Sequence, residues 1–149
     1  MRRSGSAVLI VAMLTVFLTA APARAGVGVT CGGWARATER AYANPCVERT
    51  ASWAVRGRGK IQVDSMRGIE YVAVTAQLQR SSDGTSWSTI RSNVCGWYEV
   101  STEAPGQICN TAWADVSPGD LYRGRVHVSV FLSNGNTLSS SFLVSPVTS

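Results

Sequence analysis

The chain has 149 residues, 45% hydrophobic and 15% charged, with 14 basic against 9 acidic side chains and a formal net charge of +5. Three of the cations, Arg2, Arg3 and Arg24, fall within the first 25 residues; the rest of the chain holds 11 basic and 9 acidic groups, too even a balance to point to nucleic acid. Residues 26–149 have the length of one domain that buries its own core.

The first element is an export signal. Arg2-Arg3 give a positive start, Ala7–Leu18 is an apolar run, Pro22 breaks any helix, and Ala23-Arg24-Ala25 supplies the small-x-small pattern of a cleavage site. The run falls short of the ~20 apolar residues that a spanning helix needs. Residues 1–25 therefore predict a cleaved signal peptide. Residues 26–149 predict a single secreted, extracellular domain, without a membrane anchor once cleaved.

All four cysteines, Cys31, Cys46, Cys95 and Cys109, lie beyond the signal. An even number in a short exported chain predicts disulfides. They fall into two sequence-local couples, which favours Cys31–Cys46 and Cys95–Cys109. No C-x-x-C pair is present, so no zinc or other metal site is expected.

Alternation with a period of two dominates the chain, the pattern of half-buried strands. Gly32–Asn44 fits either a short helix or an irregular arm held by the first disulfide. Val47–Val55 predicts a strand with Val47, Ala51, Trp53 and Val55 on one face, and Trp53 therefore in the core. Arg56-Gly57-Arg58-Gly59-Lys60 reads as a flexible connection kept soluble by charge, and Gly59–Ser65 as a short strand. Ile69–Arg80 alternates with Val72, Val74, Ala76 and Leu78 on one side. Asp83-Gly84 turns the chain, and Trp87–Arg91 returns as the partner strand. Val94–Val100 and Gln107–Val116 predict a further hairpin around Glu103-Ala104-Pro105-Gly106, tied across by Cys95–Cys109. Leu121–Leu132 is the clearest strand: Tyr122, Gly124, Val126, Val128, Val130 and Leu132 point one way, while Arg123, Arg125, His127 and Ser129 point the other. Asn134-Gly135 then signals a turn into a last strand, Thr137–Val144. The sum is an all-β protein, an antiparallel two-sheet sandwich of seven or eight strands with two disulfides.

The stretch Val116-Ser117-Pro118-Gly119-Asp120-Leu121-Tyr122-Arg123-Gly124-Arg125-Val126 resembles the tyrosine-corner segment of fibronectin type III and related immunoglobulin-like domains. The resemblance implies an immunoglobulin-like sandwich in which Tyr122 packs at a sheet corner and hydrogen-bonds back to nearby backbone.

Catalytic constellations are not in view. His127 is the single histidine and sits on the polar face of its strand, with no G-x-S-x-G elbow to mark a serine partner. No two of the nine carboxylates stand out as a glycosidase pair. No enzyme activity and no cofactor are expected. Five tryptophans are a high load for this length. Among them Trp97 and Trp113, which share the faces of Cys95 and Cys109, are the candidate binding residues, since exposed tryptophan stacks on sugars or anchors a protein partner. The expected role is a non-catalytic, monomeric binding module whose partner is an extracellular protein or a cell-surface glycan. The alternative is a secreted inhibitor that presents Thr102–Gln107 as its loop, or a carrier holding a small ligand between its sheets.

Overall fold

The computed structural model describes residues 27–149, so the signal assigned to residues 1–25 lies outside the described residues. Two antiparallel sheets account for the fold, and each is assembled around one long alternating strand pair. In the first sheet, β3 (Ala41–Arg49) and β4 (Ala54–Val63) pair along their whole length, from Ala41 opposite Val63 to Arg49 opposite Val55. β1 (Gly28–Cys31) and β2 (Ala35–Arg36) add to the free side of β3. β7 (Gln107–Asn110) and β8 (Ala114–Asp115) add to the free side of β4. In the second sheet, β5 (Ile69–Ser81) lies between β6 (Ser88–Trp97) and β9 (Leu121–Leu132), and β10 (Thr137–Ser139) and β11 (Leu143–Val144) pair with β9.

Eleven strands, not seven or eight, are therefore present among the described residues. Most of the excess comes from segments of two to four residues that flank the long strands. Thr137–Val144 divides into β10 and β11, and Gly32–Asn44 contributes β2 and the start of β3. Trp87–Arg91 and the start of the next predicted strand fuse into one continuous β6.

The core is valine-rich and filled from both sheets. Ala41, Ala43, Ile61 and Val63 of the first sheet meet Val72, Val74, Ala76, Val126, Val128 and Val130 of the second, all fully or almost fully buried. A second cluster at the other end joins Val47, Val55, Leu78, Ala114 and Tyr122. Each buried valine, leucine or isoleucine among them stabilises the fold by roughly 1.5–3 kcal/mol.

The basic run is not a flexible connection. It is the middle of β4, where Val55, Gly57, Gly59, Ile61 and Val63 face inward while Arg56, Arg58 and Lys60 face out. Glycine is required at Gly57, and at Gly124 of β9, because the two sheets touch there backbone to backbone. A Cβ at Gly57 would lie 2.5 Å from the Gln77 carbonyl oxygen, and one at Gly124 only 2.7 Å from the Cys46 carbonyl carbon. Stacked sheets ordinarily stand ~10 Å apart, so these glycines mark an unusually close crossing.

Three further expectations change. Thr50–Trp53 is the β3–β4 turn rather than strand, because Trp53 takes a left-handed φ of 64° and ends 61% exposed, with the Arg49 guanidinium 5.5 Å from its ring centre. Trp53 is thus not in the core. Val94–Val100 and Gln107–Val116 do not form a hairpin: β6 belongs to the second sheet and β7 to the first. The Cys95–Cys109 bond, with a Cα–Cα distance of 5.7 Å, consequently clamps the two sheets together at one edge. Cys31–Cys46 joins directly opposed residues of β1 and β3 within the first sheet. Both pairings are those the spacing favoured.

Two local devices lock the chain reversals. At the β5–β6 turn, the Asp83 carboxylate accepts the backbone N–H groups of Thr85 (2.8 Å) and Ser86 (2.7 Å) and the Ser81 hydroxyl (2.9 Å). At the entry to β9, the fully buried Tyr122 accepts the Ser117 backbone N–H on its hydroxyl at 2.8 Å, the hydrogen bond that the resemblance implies.

Candidate functional site

The outer face of the second sheet is formed by the positions that alternate with the core valines. On β5 these are Tyr71, Ala73, Thr75, Gln77 and Gln79, and on β9 they are Arg123, Arg125, His127, Ser129 and Phe131. Strand β6 contributes Ser92, Val94 and Gly96. At one end the face is aromatic. Tyr71 lies 5.0 Å from Tyr98 and 5.8 Å from Phe131, ring centre to ring centre, both tilted. Gly96 makes this possible: a Cβ there would fall on the Tyr71 ring, so any larger residue would lift the tyrosine from the sheet. Tyr98 is 75% exposed and Val94 is 65% exposed, and Phe131 is also in contact with solvent. None of the three is needed to fill the core.

Further along β9 the face becomes cationic and tightly organised. Gln79 stands opposite Arg123, and Gln77 opposite Arg125, in the β5–β9 register. Each glutamine accepts the arginine's Nε–H on its Oε1, at 2.9 Å for Arg123 and 2.6 Å for Arg125. Each guanidinium also stacks on a ring, Arg123 on Trp87 at 4.1 Å and Arg125 on Phe142 at 3.9 Å. Partial burial, and then the neighbouring Arg125 charge, push the Arg123 guanidinium below its ordinary pKa. His127 is next in line, its ring centre 5.4 Å from that of Phe142 and tilted to it.

On the outer face of the first sheet several of the charges are paired with one another. Glu48 accepts from Arg56 at 2.8 Å and from Arg58 at 3.3 Å, and Arg36 pairs with Asp64 at 3.4 Å. An open depression beside the β5–β6 turn is lined by Arg80, Ser81, Ser82, Ser86, Ser88 and Asp120, with Arg80 and Asp120 paired across it at 3.5 Å. No three His, Cys, Asp or Glu side chains among the described residues are grouped so as to hold a metal ion.

The two tryptophans singled out by spacing are not brought onto one surface. Trp97 lies opposite Val72 in the β5–β6 register and packs against the core. Trp113 sits on the first sheet's side, part-exposed, with the Arg56 guanidinium 4.3 Å from its ring centre. The loop Thr102–Gln107 is exposed at its tip but anchored at Gly106, whose backbone rests against the Ile61 carbonyl and near the Trp34 ring. The residues that sequence reasoning missed are Tyr71, Val94 and Tyr98 of the patch and the Gln77–Arg125 and Gln79–Arg123 ladder. A usable signal was present: two i, i+2 pairs of matched polar residues on the outward sides of the two clearest strands. No known protein family, curated protein or solved structure matches the chain.

Proposed function

We propose that this is a secreted, non-catalytic binding module of immunoglobulin-like architecture, and that its working surface is the outer face of the second sheet. The observation that carries the reading is the Tyr71–Tyr98–Phe131 patch with the exposed Val94 beside it. It is apolar surface on a strand edge that the core does not use, set among hydroxyl and amide side chains. Rings with one polar end suit the stacking and hydrogen bonding that hold a sugar, so a cell-surface glycan is the partner of choice and an extracellular protein the alternative. The immunoglobulin-like assignment is supported by the crossing of the chain between sheets after β4, β6 and β8, and by the Tyr122 corner at the start of β9. Secretion is supported by the apolar, cleavable character of residues 1–25 and by four cysteines all spent in disulfides. The backbone contact at Gly57 and Gly124 weighs against a carrier, since it leaves no room for a ligand between the sheets there.

The test is retention of the purified secreted protein on cell-surface polysaccharide, comparing the parent with Tyr98→Ala and Val94→Ser. Both substitutions are on exposed side chains and should leave the melting temperature unchanged. Loss of an anchoring ring should weaken binding about tenfold, ~1.4 kcal/mol. Equal retention of parent and variants would rule out this face, and retention of a protein in place of any glycan would select the alternative partner.

A further inference from the structure

We propose that Arg123 and Arg125 form a paired anion site that binds the acidic groups of a polysaccharide, either uronate carboxylates or phosphodiesters; this rests on the second sheet's outer face being the working surface. Apart from Arg67, the other arginines of the described residues have protein partners, Arg91 through the Ile90 and Trp113 carbonyls. Arg36, Arg56, Arg58 and Arg80 each have a carboxylate within 4 Å, and Arg40 and Arg49 donate to backbone carbonyls. Arg123 and Arg125 have no carboxylate partner, and their hydrogen bonds to protein run through Nε alone. The four Nη groups that make up the two forks are left for something else.

The geometry also shows why these forks are ready to bind. A free arginine loses much rotamer freedom when it closes on a ligand. Here each guanidinium is fixed twice, by a glutamine carbonyl at Nε and by a ring beneath its plane. Both side chains project from the same face of β9, two residues apart, which sets them about 7 Å apart along the strand. Two like charges that close and without a carboxylate partner repel one another weakly, and an anion spanning the pair replaces that repulsion with two attractions. Planar forks match carboxylate and phosphate oxygens bidentately. A repeating polymer presents such groups in series, and the hydroxyl- and ring-bearing remainder of the face, His127, Ser129, Thr75 and Tyr71, runs along the same two strands to receive the neighbouring sugar units.

The experiment uses the purified secreted protein and three polymers: polygalacturonate, its fully methyl-esterified form, and poly(glycerol phosphate), with polyglutamate as an acidic polypeptide control. The expected result is binding to one or both acidic polysaccharides at least tenfold tighter than to the methyl ester. Which of the two is preferred identifies the anion. Binding should fall at least tenfold in Arg123→Gln/Arg125→Gln, and less in Arg123→Lys/Arg125→Lys, which keeps the charge but not the fork. Melting temperatures of both variants report whether they are folded, and the lysine variant retains most of the packing should the glutamine variant fail. Failure to bind either acidic polymer, equal binding of the methyl ester, equal binding of polyglutamate, or undiminished binding by the folded variants would each overturn the anion site. Binding of the neutral ester that Tyr98→Ala abolishes and the arginine variants leave intact would overturn this site while sparing the face itself.

Discussion

Replacing Gly57 by alanine places one methyl group at the crossing of the two sheets. Its carbon would sit 2.5 Å from the Gln77 carbonyl oxygen, 2.7 Å from the Gln77 carbonyl carbon and 3.0 Å from the Leu78 nitrogen. Comfortable contacts begin at about 3.5 Å, so the sheets would have to part by roughly 1 Å. Every obstructing atom is main chain in β5, which is hydrogen-bonded on both sides to β6 and β9 and has no rotamer to change. Overpacking of this kind costs about 1–3 kcal/mol, and a backbone clash belongs at the top of that range. Alanine recovers roughly 0.5–1 kcal/mol by restricting the unfolded chain. The net loss is about 2 kcal/mol. For a domain of this size each kcal/mol moves the melting temperature by about 4 °C, which gives a fall of about 8 °C in a thermal melt followed by circular dichroism. Gly59→Ala is the comparison: its nearest obstacle is a Val126 methyl at 2.8 Å, a side chain that Val126→Ala removes. The double variant Gly59→Ala/Val126→Ala should therefore melt closer to the parent than the sum of the single effects. A Gly57→Ala protein melting within about 2 °C of the parent would refute the close-crossing argument.

Two other outcomes follow from the clamps on the fold. Cys95→Ser/Cys109→Ser removes a cross-link over a 14-residue separation, and should cost about 3 kcal/mol in a denaturant titration; a loss under about 1 kcal/mol would show that the sheet edges hold without it. Asp83 is held well below the usual carboxylate range, chiefly by the Ser86 and then the Thr85 amide N–H. A depressed value in the fold means that its contribution is present above the ordinary carboxylate pKa of about 4 and is lost as pH falls toward the folded value. The melting-temperature gap between the parent and Asp83→Asn should thus be full at neutral pH and narrow below about pH 4. A gap unchanged down to about pH 2.5 would remove the charge from the explanation.

Much of the second sheet was legible in the sequence because its strands advertise themselves with side chains. Val126, Val128 and Val130 alternate with Arg125, His127 and Ser129, and β9 runs over the predicted Leu121–Leu132. The first sheet was harder. In β4 the inward positions at 57 and 59 are glycines, so the apolar half of the alternation vanishes and only Arg56, Arg58 and Lys60 remain to be seen. The same absence of a side chain that lets the sheets touch makes the strand look like a linker. Trp53 misled for the opposite reason: it continues an apolar alternation through what is a turn, and no local pattern announces a tryptophan at positive φ. The Cys95–Cys109 spacing gave the right bond but not its meaning, since a 14-residue separation is equally compatible with one hairpin and with two sheets. On the candidate face, each arginine was visible as polar and outward. Its glutamine partner lies 44 or 48 residues away, and only the pairing register brings the two together.

The two disulfides also divide the polypeptide into covalent rings. One closes residues 31–46 and the other residues 95–109, and the second encloses the exposed loop that runs through Thr102 and Pro105. A peptide bond cut inside either ring opens the loop without severing the molecule, because the ends remain joined through sulfur. Proteases meet exposed loop tips first, and a cut between Thr102 and Pro105 would release no fragment while the bond between the sheets stays intact.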